Sequence, residues 1–186
     1  MIGYALCGSY CTHSVSLLQL EGLIGAGYDI QPIVSENVYG TDTRFGKASE
    51  LIERLEVLTG HSVVHSIVDA EPLGPKIKLD AMIICPCTGN TLAKLAEGIT
   101  DTAVCMAAKA HLRGNRPLVI ALASNDALSA NLKNIATLLS RKHVFLVPML
   151  QDDPKNKPHS LIADFSLLQK TLEAALVGVQ YQKIFV

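Results

Sequence analysis

An unbroken apolar run, Ala81-Met82-Ile83-Ile84-Cys85, stops at Pro86 and gives way to the small polar segment Cys87-Thr88-Gly89-Asn90-Thr91. Five apolar residues without alternation do not suit a sheet with one face in water. They suit a central parallel strand covered by helices on both sides. The flanking sequence agrees, because short β-rich runs alternate with longer stretches of helical periodicity, the order of a doubly wound parallel α/β sheet. At 186 residues the chain fits a single domain, 1–186, and no repeat, low-complexity segment or linker divides it.

Gly3 to Gly8 reads as the first strand, and Ser14 to Ala26 as a helix with Val15, Leu17, Leu18, Leu20, Leu23 and Ile24 at helical spacing, stopped by Gly25 or Gly27. Asp29 to Val34 is the second strand. The polar stretch Ser35 to Gly46 reads as a loop at its carboxyl end, the edge where open α/β sheets bind ligands. Lys47 to Leu58 is a helix, Val63-Val64 begins a short strand, and Asp69 to Lys78 is a loop. Beyond the central strand, Thr91 to Gly98 is helical, and Thr100 or Asp101 caps a helix to about Leu112. Leu118 to Ala123 is a strand, Asn131 to Ser140 a helix, Val144 to Val147 a strand, Gln151 to Pro158 a loop and Leu161 to Val177 a closing helix.

Sixteen basic against seventeen acidic residues leave a formal charge of −1, so no general field draws nucleic acid or an anionic membrane, and any anion site is local. No apolar run approaches the ~20 residues of a membrane-spanning helix. The first residues lack the basic region of a secretory signal, which points to the cytoplasm. Cysteines at 7, 11, 85, 87 and 105 form no C-x-x-C pair and the six histidines no metal-spaced pair, so neither a metal nor a disulfide framework is expected.

Two strand-to-helix turns carry chemistry. Gly8-Ser9-Tyr10-Cys11-Thr12-His13-Ser14 places a glycine, hydroxyls and free amides at a helix start, where the dipole favours an anion. It is not the G-x-G-x-x-G fingerprint of a dinucleotide site. The ordinary alternative is that Ser9 or Thr12 caps the helix. In the second turn, Pro86 to Thr91, the side chains of Thr88, Asn90 and Thr91 offer hydrogen bonds and Gly89 lets a ligand approach the backbone, which suits a phosphate monoester; a simple capped turn is the alternative.

Other candidates are weaker. Arg44 in the polar loop is able to pair with a carboxylate or phosphate, although a solvated arginine is the commoner case. Asn125 and Asp126 follow a strand and are placed to line a site, yet Asn-Asp is an ordinary turn pair. His13 reads as a surface or capping residue, Cys11 and Cys87 as small buried residues, and the cluster Lys109, His111, Arg113 and Arg116 as cations placed favourably at a helix end.

The segment Asp80 to Val104, together with Gly8-Ser9, Ser35 and Asn37, resembles the flavin-binding core of phosphopantothenoylcysteine decarboxylase-like flavoproteins and flavin prenyltransferases. That resemblance implies a flavodoxin-like three-layer α/β/α fold. It also implies an FMN site built from Gly8, Ser9, Ser35, Asn37, Pro86, Thr88, Gly89, Asn90 and Thr91, and a homo-oligomer, a trimer or a multiple of one. The decarboxylase histidine is missing, since its place reads Glu71-Pro72-Leu73, and Ala123-Ser124-Asn125-Asp126 stands where those enzymes carry Pro-x-Met-Asn. Cysteine decarboxylation is therefore not expected.

A closer resemblance is to the family of dipicolinate synthase B subunits. Gly8 to Thr12, Thr43 to Gly46, Ala70 to Lys76, Thr88 to Asn90, Met106 to Ala110, Ser124 to Leu128 and Gln151 to Pro154 carry it. It implies an oxidoreductase subunit in a sporulating mother cell that works with a dehydrogenase-like A subunit. The partner would hold NAD(P), and the pair would turn a small ring dicarboxylate into dipicolinic acid. Arg44 and Asn125 are the substrate-binding candidates, and no residue stands out as catalytic. Two other readings stay open: an independent flavin-using or flavin-modifying enzyme, and a non-catalytic subunit that binds a phosphorylated ligand for assembly.

Overall fold

The computed structural model describes residues 1–186. In chain order the elements are β1 (Ile2–Leu6), α1 (His13–Gly25), β2 (Ile30–Val34), α2 (Glu36–Gly40), α3 (Ala48–Thr59), α4 (Ile67–Ala70) and β3 (Ala81–Cys87). They continue with α5 (Gly89–Glu97), α6 (Ala103–Leu112), β4 (Leu118–Ser124), α7 (Leu132–Leu139), β5 (Val144–Leu146), β6 (Met149–Leu150), β7 (Leu161–Ala163) and α8 (Leu168–Leu176). Short 3₁₀ turns at Tyr10–Thr12 and Phe165–Leu167 lead into α1 and α8.

Strands β2-β1-β3-β4-β5 are parallel neighbours in that order, the flavodoxin-like arrangement. At the carboxyl end of β4, Ala123 and Ser124 pair instead with antiparallel β7, which pairs in turn with β6. Alternation along β3 divides the core. Met82 and Ile84 pack with Leu92, Val104 and Ile135 of α5, α6 and α7. Ile83 and Cys85 face the opposite way, with Leu20, Leu55 and Leu172 of α1, α3 and α8. Every residue of β3 is buried, which is why its sequence shows no polar alternation.

Pro86 does not end that strand. Its carbonyl accepts from the Cys7 amide at 3.1 Å, and a register shift between Ile84 and Cys87 carries the ladder past the missing proline donor to the Cys87–Leu122 pair. Nor is Ser35 to Gly46 wholly a loop: Ser35 Oγ accepts from the Val38 amide and starts α2. Thr102, not Thr100 or Asp101, caps α6, while Asp101 pairs with Lys94 at 2.8 Å. The closing helix is shorter than its apolar spacing suggests. Leu161 and Ala163 alternate as buried strand positions, and Asp164 then caps the turn that leads into α8.

Candidate functional site

In the order 2-1-3-4-5, connections leave β1 and β3 toward opposite sides, so a crevice opens beyond the carboxyl ends of those two strands. The turn after β1 (Gly8–Thr12), the start of α2 (Ser35–Asn37) and the start of α5 (Thr88–Thr91) meet around it. They are bonded to one another. The Cys7 amide reaches Pro86, the Tyr10 hydroxyl donates to the Asn37 carbonyl at 3.0 Å, and Thr91 Oγ1 donates to Cys7 Sγ at 3.3 Å. Glu36 pins α2 from the other side by accepting the Ala103 amide at 2.8 Å.

Inside the α5 turn the hydroxyls are already engaged. Thr88 Oγ1 accepts the Thr91 amide and donates to Thr91 Oγ1 at 3.1 Å, and Thr91 passes its own proton on to Cys7. Neither threonine therefore has a proton to give a ligand. The available donors are the amides of Gly89 and Asn90, the first of α5 and without an acceptor in the chain, and the exposed Asn90 side chain. The β1 turn adds the Ser9 hydroxyl and the unpaired amides of Gly8, Tyr10 and Cys11. Asn37 is exposed, and Ser35 keeps its proton free while serving as a cap.

Gly89 is required by the protein itself. A Cβ there would lie 2.5 Å from Ser124 Oγ, 2.7 Å from Asn131 Nδ2 and 2.9 Å from Asp126 Oδ1. These three groups form a network: the Asp126 carboxylate accepts from Ser124 and, at 2.9 Å on each oxygen, from Asn131, whose own carbonyl accepts from Asn134. The Ser124 and Asn131 donors hold the Asp126 carboxyl below its usual range. Asn125, between Ser124 and Asp126, is left exposed at the head of β4. Only tertiary packing brings Asn131 and Asn134 to the site.

Other candidates fall differently. His13 is not a surface residue. Its ring nitrogen Nε2 sits 2.8 Å from the Cys7 carbonyl, and burial pushes its pKa down. Cys11 is exposed instead of buried, because the 3₁₀ turn ahead of α1 rotates it outward, whereas Cys87 is fully buried. The basic cluster is dispersed: His111 is buried, and Arg116 donates to the carbonyls of Leu79 and Gly74. Arg44 stacks over Phe45, 4.8 Å from the ring centroid.

Beside the crevice, behind the Tyr10–Thr12 turn, lies a cavity of about 380 Å³ between α1, the 41–47 loop and α3. Tyr10, Cys11, Phe45, Lys47 and Glu50 are among its walls. Nothing in the sequence marks it, because its lining joins two stretches, residues 10–17 and 38–54, that share no spacing. No group of three or more His, Cys, Asp or Glu side chains is placed to hold a metal, and no helix is long and apolar enough to cross a membrane.

Fold and crevice define a class, and the family model described as Flavoprotein matches residues 2–169. The chain belongs to that family. Within it, the chain is 48% identical to the dipicolinate synthase B subunit of Bacillus subtilis (strain 168), over 100% of its own length and 92% of that protein's. The crystal structure of the dipicolinate synthase B subunit from Bacillus halodurans C superposes with a TM-score of 0.91 at 44% identity, covering 100% of this chain and 95% of that one. The FMN-dependent cysteine decarboxylase SpaF superposes at 0.65 with 25% identity, covering 95% and 94% of the two chains.

Proposed function

We propose that this chain acts as the B subunit of a dipicolinate synthase, working with a dehydrogenase-like A subunit to convert a dihydrodipicolinate-pathway intermediate to dipicolinate during sporulation. One observation carries the reading: 48% identity over 185 residues, the whole length of the chain. Likeness to the flavin prenyltransferases is lower, at 30% over 140 residues for the Thermoplasma acidophilum protein. That difference favours the synthase over an independent flavin-modifying enzyme.

The crevice suits the phosphate of FMN. Its donors are neutral and lack protein partners: the Ser9 hydroxyl, the amides of Gly8, Tyr10, Gly89 and Asn90, and the Asn90 side chain. Ser35 and Asn37 close it from α2. A bound flavin would supply an acceptor or relay for the electron pair removed when a dihydropyridine becomes aromatic. Thr88, Thr91 and the Asp126 network hold the donors in place. NAD(P) belongs to the A subunit in this reading, in keeping with the missing G-x-G-x-x-G at the β1 turn. A homo-oligomer within the mother-cell cytoplasm completes the proposal.

Co-expression with the A subunit is the direct test: dipicolinate formation rises well above that of A alone if the reading holds, and stays at the A-alone level if it does not. Titration of the chain with FMN, followed by flavin fluorescence, tests the cofactor. Saturable binding that is lost in a Ser9→Ala/Asn90→Ala double variant places the flavin on these turns.

A further inference from the structure

Two walls of the crevice share no hydrogen bond with each other: α2, with Ser35 and Asn37, and the start of α5, with Gly89 and Asn90. α2 is a single turn, Glu36–Gly40, far below the ~12–15 residues at which a helix begins to hold itself in water. Its cap is long, with Ser35 Oγ 3.4 Å from the Val38 amide, and Val38 is its one buried residue. The place of α2 is therefore set from outside.

Glu36 supplies one of the outside ties. Its Oε1 accepts the Ala103 amide, the first of α6, at 2.8 Å and across 67 residues. α6 carries no acid in its own first turn, so the carboxylate that suits the positive end of its dipole comes from α2. The seat is fixed to α5. Asp101, just ahead of α6, pairs with Lys94 of α5 at 2.8 Å, and Thr102 Oγ1 accepts the Cys105 amide at 3.2 Å. Lys94 feels both acids: its pKa is raised chiefly by the bond to Asp101 and in smaller part by Glu36.

We propose that Glu36 is a positioning residue that holds the α2 wall of the crevice in register with the α5 wall, by way of the α6 N-terminus. Its carboxylate turns to α6 while its chain neighbours Ser35 and Asn37 serve the crevice. This role rests on the cofactor crevice proposed above and assigns what keeps its two walls together.

Charge and positioning predict opposite signs. A carboxylate near an anionic ligand repels it, so if charge alone mattered, removing Glu36 would tighten FMN. Loss of the bond to Ala103 instead frees α2 and weakens FMN, and a neutral side chain that still accepts from Ala103 preserves it.

Glu36→Ala and Glu36→Gln separate the two in the full chain. Glu36→Ala should weaken FMN by at least about fivefold in a fluorescence titration, mainly through faster release. Glu36→Gln, whose side-chain carbonyl still accepts, should stay within about twofold of the wild type. In the unliganded chain, hydrogen exchange followed by NMR should quicken by at least about tenfold at the Ala103 amide of Glu36→Ala, and rise at the Tyr39 and Thr41 amides of α2. Amides of β3 should exchange as in the wild type in both variants.

FMN binding by Glu36→Ala as tight as the wild type, or tighter, overturns the proposal. So does equal weakening in both variants, which marks the charge and not the bond, or exchange that rises throughout the chain, which marks a general loss of stability. The exchange measurement also separates this role from the cofactor reading. If the wild-type chain binds no FMN, the cofactor reading falls; faster exchange confined to Ala103 and α2 in Glu36→Ala then upholds the positioning role, and unchanged exchange there overturns it. If the wild-type chain binds FMN and Glu36→Ala binds it equally, the cofactor reading stands and the positioning role falls.

Discussion

Thr91 Oγ1 donates to Cys7 Sγ at 3.3 Å, joining the first turn of α5 to the end of β1 across 84 residues. Through Thr88, which donates to Thr91, the bond fixes the cap of α5 to the neighbouring strand. Both threonines therefore act on the crevice as positioning residues. Thr88→Ala removes the α5 cap and should lower stability by about 1 kcal/mol, whereas Asn90→Ala, at an exposed position, should leave stability within about 0.5 kcal/mol. Urea unfolding separates the two, and FMN titration should rank them in the opposite order if Asn90 contacts the cofactor.

Gly89 and Gly22 predict opposite outcomes for the same substitution. Gly89→Ala drives a Cβ into Ser124, Asn131 and Asp126 and should destabilise by about 1–3 kcal/mol. Gly22→Ala lies in the α1 interior with nothing within 4 Å of the new methyl group and should stabilise by about 0.5–1 kcal/mol. Thermal melts of the two variants on either side of the wild type are the expected result.

Thiol reactivity should single out Cys11. Burial pushes Cys7 up to about 12 and Cys85 to about 11, raises Cys87 and Cys105 as well, and leaves Cys11 the exposed thiol. An aromatic disulfide reagent at pH 8 should modify one cysteine per folded chain rapidly, and Cys11→Ser should remove that fast phase. Fast modification of two or more thiols in the folded chain contradicts the packing of β1 and β3.

Stability should fall as the solution is made mildly acidic. His13 and His111 both have folded pKa values below 6.5, chiefly from burial, so the unfolded chain binds more protons as pH drops through 6.5. Their contribution is present above about 6.5 and is lost progressively until the lowered folded values are reached. Melting temperatures at pH 7.5 and 5.5 check the sign. Histidine ring resonances that titrate below 6.5 in the folded chain assign it to these two residues.

Much of the fold follows from local signals. The apolar run of β3, the helical spacing of α1 and α3 and the glycine-bearing turns were sufficient to place the layers, because burial on two faces leaves a direct trace in residue type. Signals failed where one residue serves two patterns. Leu161 and Ala163 fit a helical stripe as well as a strand face, and only pairing with β4 and β6 decides between them. Pro86 resembles a terminator, yet a register shift lets the strand continue.

The crevice residues were legible as types but not as roles. Thr88 and Thr91 look like phosphate donors in the sequence, and the structure directs their protons inward to each other and to Cys7. Gly89 looks like a ligand-approach glycine, and the neighbours that require it come from β4 and α7. His13 looks like a surface group, and the Cys7 carbonyl just past β1 draws it under cover.

What the sequence determined by itself was the class of sheet and the turns at which its strands hand over to helices. Those depend on periodicity and on residues close together in the chain. Which hydroxyls remain free, which thiols are covered and how Asn131 and Asn134 come to support the Gly89 turn were decided only by tertiary structure, because each depends on groups that spacing along the chain does not relate.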